Sequence, residues 1–144
     1  MSIIKDIALL ISRVILGVIL VAHGWDKFQN LDGVTAMFTQ VGAPMPNLSA
    51  LAAASIELGG GILLILGLLT PIAGVLVFLV MLGAAILVHL ENGIMAADGG
   101  WELVGAIGVA ALALAAAGSG TFGIDQIFRR SKSKDPKVAH TAEQ

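Results

Sequence analysis

The chain has 144 residues, of which 57% are hydrophobic and 12% charged, and its mean hydropathy is +0.93. This composition lies outside the range of ordinary soluble domains and is typical of a membrane protein. The formal net charge is −2, and cysteine is absent. The lack of cysteine excludes a thiol–disulfide mechanism, covalent haem attachment through C-x-x-C-H and iron–sulfur ligation by this chain.

Four apolar stretches approach the length of about 20 residues that a membrane-spanning helix needs. They cover residues 7–24, 48–69, 72–90 and 103–118. The first is not a cleaved signal peptide, because its apolar run is too long and no small-x-small cleavage motif accompanies it. We therefore predict an all-α fold, a polytopic membrane four-helix bundle. Residues 1–125 form the membrane domain, and residues 126–144 form a basic, disordered tail.

The connection between the first two stretches contains a short amphipathic segment. Its apolar residues recur at helical spacing, with Asp32 placed to cap the helix. They are Val34, Met37, Phe38 and Val41. We predict a short interfacial helix here, either resting on lipid or covering the bundle as a lid.

The distribution of basic residues predicts the orientation. Five of them follow the last stretch: Arg129, Arg130, Lys132, Lys134 and Lys137. The loop after the first stretch has only Lys27, and the loop after the third has no basic residue. Positive charges accumulate on the cytoplasmic side, so both termini are predicted to be cytoplasmic, with the tail against the lipid surface. Trp25 and Trp101 then share the outer interface, where indole rings are favoured.

Two ionisable residues lie deep within the apolar stretches. Arg13 is about 9 Å along the first helix, and Glu57 is about 14 Å into the second. Because an unpaired charge at that depth is costly, we predict that the two form an ion pair. The pair either fixes helix register or takes part in proton or redox chemistry.

A second polar group is predicted at the outer end of the bundle. His23 ends the first helix, His89 ends the third, and Glu102 opens the fourth. Three chemistries suit such a set: two histidines ligating a b-type haem, histidines and carboxylates holding a metal, or hydrogen bonding and proton transfer to a quinone head group. Interfacial histidines bonded to loop carbonyls are the structural alternative.

Other features of the sequence give weaker evidence of function. Residues 118–123 match G-x-G-x-x-G, but they end a membrane helix instead of joining a strand to a helix, so a dinucleotide site is rejected. The basic tail lacks the interleaved aromatic residues that would suggest nucleic acid. Small residues along the second and fourth helices favour close helix packing. The face on the fourth also suits a partner subunit, including a second copy of the chain.

Taken together, the motifs resemble the DoxX family over nearly the whole chain before the tail. The resemblance is carried by Arg13, Leu16-Gly17, His23-Gly24-Trp25-Asp26-Lys27, Gly42-Ala43-Pro44-Met45-Pro46, Glu57-Leu58-Gly59-Gly60, Gly67-Leu68-Leu69-Thr70, His89, Gly99-Gly100-Trp101-Glu102, Gly118-Ser119-Gly120 and Asp125. It implies a four-helix integral membrane protein of bacteria or archaea. Members are linked to quinone-coupled sulfur oxidation and to membrane oxidoreductase complexes that handle oxidative stress.

Two functions follow as hypotheses. In the first, the protein is a subunit of a quinone-linked oxidoreductase system, with His23 and His89 donating protons to the quinone and Glu57 relaying them. Arg13 is then the counter-ion of Glu57, Glu102 orients a histidine, and Trp25 and Trp101 border the quinone. In the second, the protein is a non-catalytic anchor for soluble redox or stress enzymes.

Overall fold

A computed structural model describes residues 2–132, in which all regular structure is helical. The α-helices are α1 (Ile3–Gln29), α2 (Leu31–Gln40), α3 (Pro46–Leu66), α4 (Thr70–Ala84), α5 (Glu102–Ala117) and α6 (Asp125–Lys132). A π-helical turn, Ala85–His89, and a 3₁₀ turn, Leu90–Asn92, continue α4, and a further 3₁₀ turn covers Ala96–Asp98. The all-α prediction is confirmed.

Three helical segments are long and apolar enough to cross a membrane: Ile3–Gln29, Pro46–Leu66 and Thr70–Asn92. The apolar helix α5 has 16 residues, and at 1.5 Å per residue it is only about 24 Å long. The predicted membrane-spanning character is therefore confirmed for three of the four segments, while α5 is shorter than the usual requirement.

The turn between α3 and α4 is short and well defined. Gly67 ends α3 with φ of +64°, in the left-handed region that favours glycine. The N–H of Leu68 donates to the carbonyl of Leu63, which closes the last turn of α3. Two residues later Thr70 begins α4. Such a tight connection makes α3 and α4 antiparallel neighbours.

The helices associate as two antiparallel pairs, α1 with α3 and α4 with α5. Glycines let α1 and α3 approach closely, since a Cβ built on Gly17 would lie 2.6 Å from the carbonyl oxygen of Gly61. The apolar core between the pairs consists of Leu16, Leu20, Leu64, Ala73, Val77, Met81, Ile107, Ala111 and Leu114.

The hydrogen bonds that join the two pairs lie at one end of the bundle, which we call the closed end. The Arg13 side chain of α1 donates to the carbonyl of Phe122 (2.7 Å), and Asp6 accepts from Thr121. The backbone N–H of Asp125 donates to the carbonyl of Gly67. At the other, open end, where α1 ends and α5 begins, the described residues show no such bond between the pairs.

The short helix predicted between the first two membrane segments is present as α2, packed against α3. The predicted N-cap residue, Asp32, is wrong. Asn30 is the N-cap, and its side chain accepts a hydrogen bond from the N–H of Gly33. The reason is that α1 continues to Gln29, which places Asn30 at the junction between the two helices.

The predicted tail begins with regular structure. The helix α6 covers Asp125–Lys132, so the absence of order predicted from residue 126 is wrong for this part. Residues 133–144, which include Lys134 and Lys137, lie outside the described part of the chain.

Candidate ligand-binding site

A cavity of about 520 Å³ opens at the open end, between the two helix pairs and beneath α2. Its walls are mainly apolar, with Leu20, Phe38, Val80 and Ile107 among the lining side chains. The polar side chains that line it are His23, Lys27, Ser49, Glu57 and His89. An apolar chamber with a few polar groups is the usual form of a small-molecule site.

The strongest polar contact in the cavity wall joins Lys27 of α1 to Glu57 of α3. Lys27 Nζ donates to Glu57 Oε2 at 2.7 Å. The Glu57 side chain is 3% exposed and that of Lys27 is 23% exposed. The bond is charge-assisted and only partly open to the surroundings, so it fixes both side chains in the wall.

The predicted pair of Arg13 and Glu57 is therefore wrong. The antiparallel register of α1 and α3 places Gly24 against Leu58, and places Arg13 beside Gly67. Ten residues of α3 separate positions 57 and 67, which corresponds to about 15 Å along the helix. The depth estimates used the ends of the apolar stretches, and these do not show how α1 and α3 are aligned with each other.

Arg13 belongs to the closed end instead of the cavity. It is 1% exposed, and its Nη2 donates to the carbonyl of Phe122. Nε and Nη1 have no hydrogen-bond partner among the described residues. A side chain at position 67 would overlap Nη1, so Gly67 leaves room for the guanidinium.

His89 lies in the π-helical turn that follows α4, and it lines the cavity from the other helix pair than Lys27. Its Nδ1 is 2.7 Å from the carbonyl oxygen of Gly99. A carbonyl only accepts, so Nδ1 carries the hydrogen and donates it. In the neutral ring Nε2 then keeps its lone pair, and in the charged ring both nitrogens donate. π-Helical turns of this kind are frequent at functional sites.

The predicted convergence holds for the histidines but not for Glu102. His23 and His89 both line the cavity. Glu102 Oε1 accepts a hydrogen bond from the N–H of Ala96 at 2.8 Å and is not part of the lining. Since Ala96 lies in the loop that carries Gly99, Glu102 helps to hold the loop whose carbonyl bonds His89.

The tryptophans predicted to border the ligand are also outside the cavity lining. Trp25 is 58% exposed and Trp101 is 37% exposed. Exposed indole rings at this end of the bundle suit contact with the membrane interface. Lys27 and Ser49 are polar cavity residues that the predicted site lacks, and Lys27 could have been found from the sequence. Its spacing of four from His23 was the available signal, because residues four apart share a helix face.

The DoxX family profile matches residues 8–90, more than half of the chain. The chain belongs to the DoxX family. The family match includes every polar side chain of the cavity wall, because His23, Lys27, Ser49, Glu57 and His89 all lie within it. It ends before Glu102 and α5.

Two curated relatives support this assignment of a DoxX membrane protein. CatD of Bacillus subtilis (strain 168), which is provisionally named as an oxidoreductase, is 43% identical over 86 residues, covering 60% of this chain and 63% of CatD. The inner membrane protein YphA of Escherichia coli (strain K12) is 34% identical over 85 residues, covering 59% of this chain and 61% of YphA. The chain thus spans less than two thirds of either relative. No solved structure matches.

Within residues 2–132, no group of three or more histidine, cysteine, aspartate or glutamate side chains is arranged to hold a metal ion. The cavity instead offers hydrogen-bond donors and acceptors on apolar walls. Such a lining suits an organic ligand with polar atoms on an otherwise apolar body.

Proposed function

We propose that this DoxX protein binds a quinone in the open-end cavity, as the membrane subunit of a quinone-linked oxidoreductase system. The observation that carries the proposal is that both helix pairs contribute polar groups to the lining. His23 and Lys27 belong to the α1–α3 pair, whereas His89 follows α4 in the other pair. A ring with oxygens on opposite sides would meet a hydrogen-bonding group from each pair.

The cavity also fits a quinone in size and polarity. Its volume of about 520 Å³ lies within the roughly 300–1,000 Å³ of typical ligand pockets. Leu20, Phe38, Val80 and Ile107 provide apolar contacts for the ring and the first part of a lipid tail. Because the cavity lies between membrane-spanning helices, a lipid-soluble ligand is the natural occupant.

The side chains have distinct roles in this proposal. A quinone takes up two electrons and two protons when it is reduced to the hydroquinone. Lys27 donates a hydrogen bond to one oxygen, and Glu57 holds the Lys27 side chain in position. His23, on the same helix as Lys27, supplies the proton that this oxygen takes up. His89, with Nδ1 fixed by Gly99, presents Nε2 to the other oxygen and exchanges a proton there.

The electrons would come from a separate donor. The chain contains neither cysteine nor tyrosine, and we propose that a reduced sulfur compound or a soluble redox enzyme of a stress response supplies them. The provisional oxidoreductase name of CatD supports a redox role. The anchor hypothesis shares the membrane fold and the soluble partner, but it requires no ligand in the cavity.

Quinone binding to the purified protein in lipid nanodiscs tests the proposal. Titration with a short-chain 1,4-naphthoquinone should give saturable binding to the unaltered chain. His89→Ala and Lys27→Met should each weaken it about tenfold or more, equivalent to about 1.4 kcal/mol. If the proton exchange is correct, His89→Ala should also lower quinone-dependent turnover with the redox partner.

Glu91→Gln is a suitable control, because Glu91 is exposed near the open end but does not line the cavity. It should bind quinone like the unaltered protein. Absence of saturable binding, or equal binding by the chain with both His23→Ala and His89→Ala, would overturn the quinone proposal and favour the anchor function.

A further inference from the structure

The last helix of the described chain is amphipathic and exposed. In α6, Ile127 is 67% exposed and Phe128 is 63% exposed, and the adjacent Arg129 is also exposed. An amphipathic helix that directly follows membrane-embedded helices is well suited to lie in the interface plane. Its apolar side chains then contact acyl chains, and its basic side chains contact headgroups.

The start of α6 is held firmly against the bundle. The backbone N–H groups of Ile124 and Asp125 donate to the carbonyls of Leu66 and Gly67. The Asp125 carboxylate accepts from the N–H groups of Leu69 (2.7 Å) and Thr70 (3.1 Å). These bonds place α6 at the beginning of α4 and thus at one edge of the membrane-spanning region.

A groove of about 700 Å³ runs beside α6 at the closed end. Leu69, Ile72 and Phe128 give it an apolar lining, and Arg129 is the basic side chain that lines it. Asp125 also lines it, but this carboxylate is already engaged by two backbone N–H groups at the N-terminus of α4. The helix dipole there offsets its negative charge further.

The basic residues of this part of the sequence favour an anionic ligand. Residues 126–137 contain five basic residues and one acidic residue, whereas the chain as a whole has a net charge of −2. Basic segments beside a membrane attract anionic lipids by about 1 kcal/mol per Lys or Arg near the surface. An apolar groove with a basic side chain in its lining therefore complements a lipid that has a negative headgroup.

We propose that the closed-end groove binds an anionic phospholipid, with its phosphate at Arg129 and an acyl chain along Leu69, Ile72 and Phe128. This site is separate from the quinone cavity, which lies at the open end between the helix pairs. Its occupation would secure α6 and the turn between α3 and α4 at the membrane surface.

Lipid retention measured by native mass spectrometry tests the proposal on the full chain. Protein released from nanodiscs of equal phosphatidylglycerol and phosphatidylcholine should retain phosphatidylglycerol preferentially. Arg129→Gln should reduce that preference at least threefold, and Arg129→Lys should keep most of it. Lys5→Gln is the matched control, because Lys5 is an exposed cation near the same end that does not line the groove.

A second measurement separates the lipid from free phosphate and from a folding defect. The melting temperature should be higher in phosphatidylglycerol nanodiscs than in phosphatidylcholine nanodiscs, and inorganic phosphate should not reproduce the increase. Arg129→Gln should melt like the unaltered chain in phosphatidylcholine. Equal retention of both lipids, or equal loss of preference in Arg129→Gln and Lys5→Gln, would overturn the proposal. Protection by inorganic phosphate alone would also overturn it.

Discussion

A buried carboxylate requires a partner of opposite charge, and Lys27 is that partner for Glu57. Glu57 is almost fully buried in a helix that is long and apolar enough to cross a membrane. A lone carboxylate there would bear a large desolvation cost, which the Lys27 ammonium at 2.7 Å offsets. The pair therefore both stabilises the wall of the cavity and supplies its charge.

We expect Lys27 and Glu57 to be mutually dependent. Lys27→Ala should lower stability, since it leaves the buried carboxylate unpaired, with up to about 3 kcal/mol as the scale for breaking a buried pair. The value should be lower here because Lys27 is partly exposed. The double change Lys27→Met with Glu57→Gln should recover much of the loss. Thermal unfolding in detergent measures the coupling, and purely additive losses would argue against it.

The sequence indicated that Glu57 required a partner, but it did not indicate which one. The hydropathy of the sequence shows that Glu57 lies within an apolar stretch, where a carboxylate is buried. The choice of partner depends on the antiparallel register, which close contacts at Gly17 and Gly24 fix. Nor does the apolar stretch ending near residue 24 show that α1 continues to Gln29 and carries Lys27 on the helix.

At the level of the helices, the contact between α1 and α3 depends on small residues. A Cβ built on Gly17 would lie 2.5 Å from Cγ1 of Ile65 and 2.6 Å from the carbonyl oxygen of Gly61. One of these neighbours is backbone, which cannot move without shifting the helix. Any side chain introduced at position 17 would therefore force α3 away from α1.

Gly17→Ala should consequently destabilise the protein by about 1–3 kcal/mol, the usual cost of overpacking. Gly59→Ala is the matched control on α3, because a Cβ at Gly59 meets nothing within 4 Å. It should leave stability unchanged or raise it slightly through helix propensity. Melting curves in one detergent allow the comparison, and equal effects of the two changes would contradict the packing argument.

The third membrane segment illustrates a different limit of prediction. Its apolar run is clear in the sequence, and Thr70–Asn92 is indeed one continuous helical segment. The change to π-helical geometry at Ala85–His89 has no periodicity signal of its own. The turn ends at His89, whose ring is hydrogen-bonded to the loop carbonyl of Gly99, a contact that local sequence does not reveal.

For the whole molecule, the two ends of the bundle have different chemistry. The closed end combines Arg13 and Asp6 with the loop after α5, and it binds the two helix pairs to each other. The open end leaves space between the pairs, and the polar side chains there face a cavity. The sequence placed Arg13 with Glu57 and the histidines at the outer end of the bundle. The structure assigns Arg13 to the closed end and Glu57 to the cavity wall with the histidines.

The orientation of the two ends in the membrane follows from the distribution of basic residues. Basic residues follow α5 at the closed end, and cytoplasmic loops are enriched in such residues. We therefore propose that the closed end is cytoplasmic and the open-end cavity lies near the outer surface. The natural absence of cysteine allows single-cysteine labelling without background. Gln40→Cys and Glu91→Cys mark the open end, and Ser131→Cys marks α6, all at exposed positions.

In intact cells of a bacterial host with a permeable outer layer, an impermeant maleimide should label Gln40→Cys and Glu91→Cys but not Ser131→Cys. After lysis all three should react, which shows that the position in α6 is reactive once accessible. Labelling of Ser131→Cys alone in intact cells would reverse the orientation. The cavity would then open near the cytoplasmic surface, and soluble electron donors of the cytoplasm would reach a ligand bound there without crossing the bundle.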